Sequence, residues 1–374
     1  MRIDRRTMML SAAAALLPAG AARALDGDTL AAAAARCGVR FGTAVGSRGL
    51  ANADYRALVE RECAVITPEN AMKWPALAPS PDGFRFDEAD RYAAWAAKTG
   101  KALRGHNLLW PRQDRLPEWV KRYDFGSKPA EACEQLVGRH VATVAKRYAR
   151  RVDSFDVVNE AIDPNTGAMR ESVLSKASGD LDRLIALAFQ LAREAAPKAQ
   201  LVYNDYMDWG TGSAQHRLGV LRLLEGLRKG GVPIDALGIQ GHVTATADQG
   251  AIQRREKDWR GFLDEVTGMG FQLLVTEFDV DDRDIAGDAA ERDRQVADYG
   301  KHWAEIVLSY PQTTTFVTWG LSDRFSWLDS FRPRADGQHK RGDLYDDDFK
   351  PKPLRKALIE AFTAAPIRNA SHLR

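Results

Sequence analysis

Apolar and polar positions along the chain alternate between two periods. Eight short apolar runs, at 40–45, 64–69, 102–110, 154–160, 200–206, 236–243, 272–280 and 314–320, read as buried β-strands. Between them apolar residues recur at helical spacing, as at Leu136, Val137, Val141 and Val144, at Leu184, Leu187, Ala188 and Leu191, and at Leu218, Leu221, Leu224 and Leu227. Gly230-Gly231 and the Gly268/Gly270 pair stop two of these helices, and Pro197 follows a third. Strands that alternate with helices pair in parallel, and eight such units predict an α/β chain folded as a single (β/α)8 TIM barrel. An open doubly wound sheet is the structural alternative, but no GxGxxG follows the first strand. No repeat, linker or appended module interrupts the alternation, and the charged stretch at 332–352 reads as a long rim loop.

The first 24 residues break the pattern. Arg2, Arg5 and Arg6 precede a short apolar core from Met8 to Leu17, and Ala22-Arg23-Ala24 is a small-x-small cleavage site. Residues 1–24 are expected to be an export signal, with Arg5-Arg6 suiting either the twin-arginine or the general secretory route. The run is too short and too rich in Ala for a stable membrane span. The barrel domain is then 25–365, and 366–374 is expected to be a frayed tail.

Charge and cysteines narrow the chemistry. The chain carries a formal +2, and losing the signal's four Arg and one Asp leaves the mature chain at about −1. That is no footprint for nucleic acid or an anionic membrane, so a neutral substrate is expected. Cys37, Cys63 and Cys133 allow at most one bridge, and neither CxxC nor HExxH is present to suggest zinc. No cofactor or metal is expected. The mature form is expected to act as a monomer away from the membrane, in the periplasm or outside the cell.

Polar and aromatic residues collect where the strands stop. The second run leads into Thr67-Pro68-Glu69-Asn70-Ala71-Met72-Lys73-Trp74, the third into Gly105-His106-Asn107-Leu108-Leu109-Trp110, and the fourth ends on Asn159-Glu160. The fifth ends Asn204-Asp205-Tyr206, the sixth Gln240-Gly241-His242, the seventh Glu277-Phe278-Asp279, and the eighth runs through Trp319 to Trp327. Singly, each has a plain reading: a core histidine, a core indole, a solvated lysine, a helix cap. On one barrel rim they compose a cleft, with indoles offering flat faces to sugar C–H groups and Asn, Gln, His, Lys and Glu binding hydroxyls. Two strand-end glutamates, Glu160 and Glu277, supply what glycoside cleavage needs, a proton donor and a carboxylate nucleophile.

These segments, in this order and spacing, resemble the endo-β-1,4-xylanases of glycoside hydrolase family 10 over nearly the whole mature chain. The resemblance implies a (β/α)8 barrel that cuts xylan and xylo-oligosaccharides internally, with retention and without a cofactor. By matching position, Glu160 resembles the acid/base and Glu277 the nucleophile. Asn159 would hold the sugar 2-hydroxyl, and His242 would bridge Glu277 and Asp279. His106, Trp110 and Gln240 would shape the −1 subsite. Glu69, Asn70, Lys73 and Trp319 would grip the −2 sugar, Trp327 would close over it, and Tyr206 would lie near the cleft. One departure stands out: members usually read Trp-His-Ser-Gln after the third strand, and this chain reads Trp110-Pro111-Arg112-Gln113. The missing histidine leaves the local polar network, and the pH profile with it, unspecified by the resemblance.

Other readings separate on specific features. A non-catalytic sugar-binding barrel need not keep both glutamates. A metal-dependent barrel hydrolase wants His-x-His on its first strand, where this chain reads Phe41-Gly42-Thr43-Ala44-Val45. A cellulase or mannanase would share the Asn-Glu and Glu strand ends but not the Glu69-Asn70-Lys73 set.

Overall fold

A computed structural model describes residues 28–368; the expected export signal at 1–24, residues 25–27 and residues 369–374 lie outside the described residues. Nine strands form the sheet: β1 (Arg40–Val45), β2 (Val65–Pro68), β3 (Ala102–Leu109), β4 (Ser154–Asn159), β5 (Gln200–Asp205), β6 (Ala236–Ile239), β7 (His242–Thr244), β8 (Gln272–Asp281) and β9 (Thr313–Thr318). Neighbours pair in parallel from β1 through β6, β6 pairs with β8, β8 with β9, and β9 returns to β1. The closed ring has eight strands, as the apolar runs predict. The sixth run is the exception. It breaks after Ile239, and β7 resumes beside the far end of β8, with His242 opposite Asp279. Gly241 makes the break, at φ +79°, a left-handed conformation that favours glycine.

β4 and β5 are buried throughout except at Gln200, so both faces are covered, one by the barrel interior and one by helices. The covering helices start on side-chain caps: Asn52 for Ala53–Glu62, Asp180 for Leu181–Ala195, Asp248 for Gln249–Gly268 and Asp288 for Ala289–Leu308. The predicted stripe along Ala214–Lys229 is off by part of a turn. Leu218 is 44% exposed, while Val220, Leu223, Leu224 and Leu227 face the core. The cause is Gly219, where a Cβ would come within 2.4 Å of the Gly167 carbonyl oxygen; this close approach sets which face turns inward.

The two ends of the described segment tie together. Helix Leu30–Arg36 lies against helix Pro353–Ala364, and Glu62 accepts from the Leu30 amide at 3.0 Å and from Arg355 at 3.2 Å. The described residues run three past the expected start of the tail, and Arg368 is buried among backbone carbonyls. All three cysteines are free and buried. Among the described residues no helix is long and apolar enough to cross a membrane, and no group of three or more His, Cys, Asp or Glu is set to hold a metal ion.

Candidate active site

The rim at the strand C-termini brings the two glutamates into one hydrogen-bonded set. Glu277, on β8, is buried; its Oε1 accepts from Asn204 Nδ2 at 2.8 Å and its Oε2 lies 3.2 Å from His242 Nε2. The other ring nitrogen, Nδ1, sits 2.9 Å from Asp279 Oδ2. Burial alone would lower the basicity of His242, but the Asp279 charge and the hydrogen bonds to Asp279 and Glu277 raise it to about 10. Burial pushes the Glu277 carboxyl up, yet the His242 hydrogen bond and the neighbouring His106, His242 and Lys73 outweigh it and leave it below the ordinary glutamate range. These neighbours favour the ionised form of a nearly buried Glu277.

Glu160 follows β4 in the left-handed region, at φ +52°. A non-glycine residue held there carries strain, and three contacts hold it. Its amide donates to the Asn204 carbonyl at 2.9 Å, its carbonyl accepts from Arg170 Nε at 2.9 Å, and the next amide, of Ala161, donates to the Tyr203 hydroxyl at 3.2 Å. The turn aims the side chain into the cleft. Oε2 accepts from Trp110 Nε1 at 3.1 Å and from Arg112 Nη1 at 3.0 Å. Oε1 accepts from Gln240 Nε2 at 2.9 Å and Asn159 Nδ2 at 3.3 Å. Asn204 Nδ2 also donates to Asn159 Oδ1 at 2.9 Å, so a continuous hydrogen-bond path joins the two glutamates.

Beside this pair lies a cavity of about 310 Å³, lined by Glu69, Asn70, Trp319 and Trp327 among others. Asn70 donates to Glu69 at 3.1 Å and accepts from Lys73 at 2.9 Å. The Lys73 ammonium lies 5.2 Å from the Trp110 ring centre and 5.7 Å from that of Trp319, within cation–π range. Burial lowers its proton affinity, against the pull of Glu277, Glu69 and Glu160. Trp327 donates to Asp279 Oδ2 at 2.7 Å and packs on His242 and Phe331, so the outer wall of the cavity is tied to the residue that orients His242.

A family model, Glycosyl hydrolase family 10, matches residues 29–361. The chain belongs to that family. Among family 10 relatives, the endo-1,4-beta-xylanase B of Humicola insolens is 32% identical over 308 residues, covering 82% of this chain and 78% of that protein. The endo-1,4-beta-xylanase 3 of Hypocrea jecorina is 30% identical over 321 residues, covering 85% and 81%. Native xylanase 10B from Thermotoga maritima superposes with a TM-score of 0.79 at 27% identity, covering 90% of this chain and 98% of that one. The xylanase 10B of Thermotoga petrophila, solved with xylobiose, gives the same score and identity, with 97% of its chain covered.

In this family 10 chain, hydrogen bonds at the strand C-termini bring Trp110, Asn159, Glu160, Gln240, His242, Glu277 and Asp279 together. Tyr206 stands to one side, its hydroxyl 2.5 Å from Arg170. His106 sits 2.9 Å from Asp156, which also pairs with the buried Arg104, so the acidic residue inside β4 orients a cleft histidine from below. Sequence reasoning missed Asn204, which touches Glu277 directly, although it stands in the fifth strand's polar end. It also missed the reach of Arg112, visible in the sequence only as a departure from the family pattern.

Proposed function

We propose that this chain cleaves β-1,4-xylosidic bonds inside xylan, with retention, by double displacement. Support for xylan comes from membership of family 10, from relatives named endo-1,4-beta-xylanases, and from the Glu69–Asn70–Lys73 set beside the paired indoles. The observation that carries the mechanism is the unlike surroundings of the two glutamates: Glu277 against an imidazolium in a buried pocket, Glu160 beside the cleft.

In the first step Glu277 attacks the anomeric carbon while Glu160 gives its proton to the departing glycosidic oxygen, and a glycosyl ester forms on Glu277. In the second, Glu160 takes a proton from water, the water oxygen attacks the same carbon, and the ester bond electrons return to Glu277. Asn159 would hold the 2-hydroxyl, His106, Trp110 and Gln240 would line the −1 sugar, and Glu69, Asn70, Lys73 and Trp319 the −2 sugar. Residues 1–24 would direct the protein across the membrane, leaving a monomer that works on a neutral polysaccharide.

Replacing each glutamate by alanine tests the roles. Glu277→Ala should abolish turnover of every substrate. Glu160→Ala should cost about 10²–10⁴ on xylan, yet a dinitrophenyl xylobioside, which needs no proton, should give a burst and then slow turnover. Azide should restore that turnover and yield β-xylobiosyl azide. An α-azide, or equal losses for both variants on all substrates, overturns the assignment.

A further inference from the structure

Arg112 is a charged donor on the Glu160 carboxylate that the sugar grip does not require. Buried Pro111 precedes it, and its backbone is extended at φ −94°, ψ 126°, which turns the side chain back along the rim. Nη1 reaches Glu160 Oε2 at 3.0 Å, and Nε is held by Asp114 Oδ1 at 2.8 Å. With Trp110, Gln240 and Asn159, four N–H donors then point at the two oxygens of Glu160. A carboxylate accepts all four, whereas a carboxylic acid must place its O–H where one of them points. Asn159 and Gln240 are buried in the wall. Arg112 is the charged donor and is 31% exposed, and it lines a wide cavity of about 850 Å³ with Asp114, Asp163 and Arg170, which gives its side chain space to withdraw.

We propose that Arg112 is a positioning residue for Glu160 that favours its ionised form, assisting it as a base in the second step at the expense of its acid role in the first. The inference rests on the reading of Glu160 as acid/base. Other charged or titratable groups face Glu160 from the neighbouring elements: Lys73 after β2, Tyr203 and Tyr206 at the end of β5, and Arg170 on its own carbonyl. Glu277 and, behind it, His242 stand across the Asn159–Asn204 link. Among these only Arg112 binds the carboxylate oxygens themselves. Lys73 is engaged with Asn70, and Glu277 opposes a second negative charge nearby.

The test is the pH dependence of kcat/KM for phenyl and dinitrophenyl xylobiosides with Arg112→Ser and Arg112→Lys. With Arg112→Ser, the alkaline limb for the phenyl substrate should move up by about one pH unit, a modest shift for a pair partly screened by water. The acidic limb of kcat for the dinitrophenyl substrate, set by the base step, should move the same way. Arg112→Lys, which keeps the charge, should stay near the native profile, and dinitrophenyl kcat/KM should change little in either variant. An unmoved alkaline limb, or equal losses on both substrates at every pH, overturns the proposal. Glu160→Ala measured alongside separates the two readings. If azide fails to rescue it, the role of Glu160 itself falls, whatever Arg112 does.

Discussion

His242 stands between two carboxylates, and its positive charge would serve Glu277, the proposed nucleophile. Raised to about 10, it stays charged through neutral pH and keeps Glu277 ionised by a charge-assisted hydrogen bond. Asp279→Asn removes the counter-charge that holds it so. A lost charged hydrogen bond is worth about 1.5–3 kcal/mol, so kcat/KM should fall roughly 10- to 100-fold. The loss should appear on dinitrophenyl substrates too, because they still need attack by Glu277 although they need no proton, while the melting temperature should move little. The sign of the pH effect follows from the same pair. The folded value lies above the ordinary histidine value of about 6.5. The stabilisation it adds is therefore complete below that value and is lost as pH rises through about 10. Normal rates for Asp279→Asn would count against this account.

Two elements set the cleft's shape through single positions. Gly238 on β6 leaves room for Asn204: a Cβ there would lie 2.4 Å from Asn204 Oδ1 and 3.1 Å from Thr276 Cγ2. Gly238→Ala should displace the amide that links the glutamates. A misplacement of about 1 Å costs on the order of 10²-fold, so kcat should fall by about that much while circular dichroism stays native. An unchanged kcat would show that Asn204 can shift without consequence. The segment after β9 sets the other wall. Xylose lacks the hydroxymethyl group of glucose, and under the proposed −2 grip Trp327, which lines the cavity, would stand where that group lies. Trp327→Ala should raise the ratio of aryl cellobioside to aryl xylobioside activity about tenfold, the scale of one small group in a fitted pocket. An unchanged ratio would make Trp327 ordinary packing.

The molecule closes at its base through residues far from the rim. Arg368 donates to the carbonyls of Thr313 at 2.6 Å, Leu308 at 2.9 Å and Cys37 at 3.2 Å, fastening the last described residues to the foot of β9 and to the end of helix Leu30–Arg36. Burial lowers its proton affinity, and these carbonyls support it. Arg368→Ala leaves them unpaired and should cost about 3 kcal/mol, lowering the melting temperature by several degrees. Turnover at 25 °C should be unaffected. A stable variant, read by calorimetry, would show that water replaces the guanidinium.

Much of this was written in local pattern. Strand and helix periods, and the glutamates closing the fourth and seventh apolar runs, are properties of a few consecutive residues. Parallel β/α alternation then sends every strand end to one rim, so convergence of Glu160 and Glu277 followed without coordinates. The break at Gly241, the exposure of Leu218, the Asn204 link and the hold on Arg368 were not legible. Each depends on an atom contributed from elsewhere in the chain: Asp279 beside His242, the Gly167 carbonyl against Gly219, Glu277 against Asn204, Cys37 against Arg368. Arg112 shows the boundary most clearly. Its sequence marks a departure from the family pattern, but only the folded rim brings its guanidinium to Glu160, because a four-bond side chain is directed by the backbone turn before it and by Asp114 beside it. Periodicity determines which face of an element is buried; which polar atoms then meet is decided by close packing between elements.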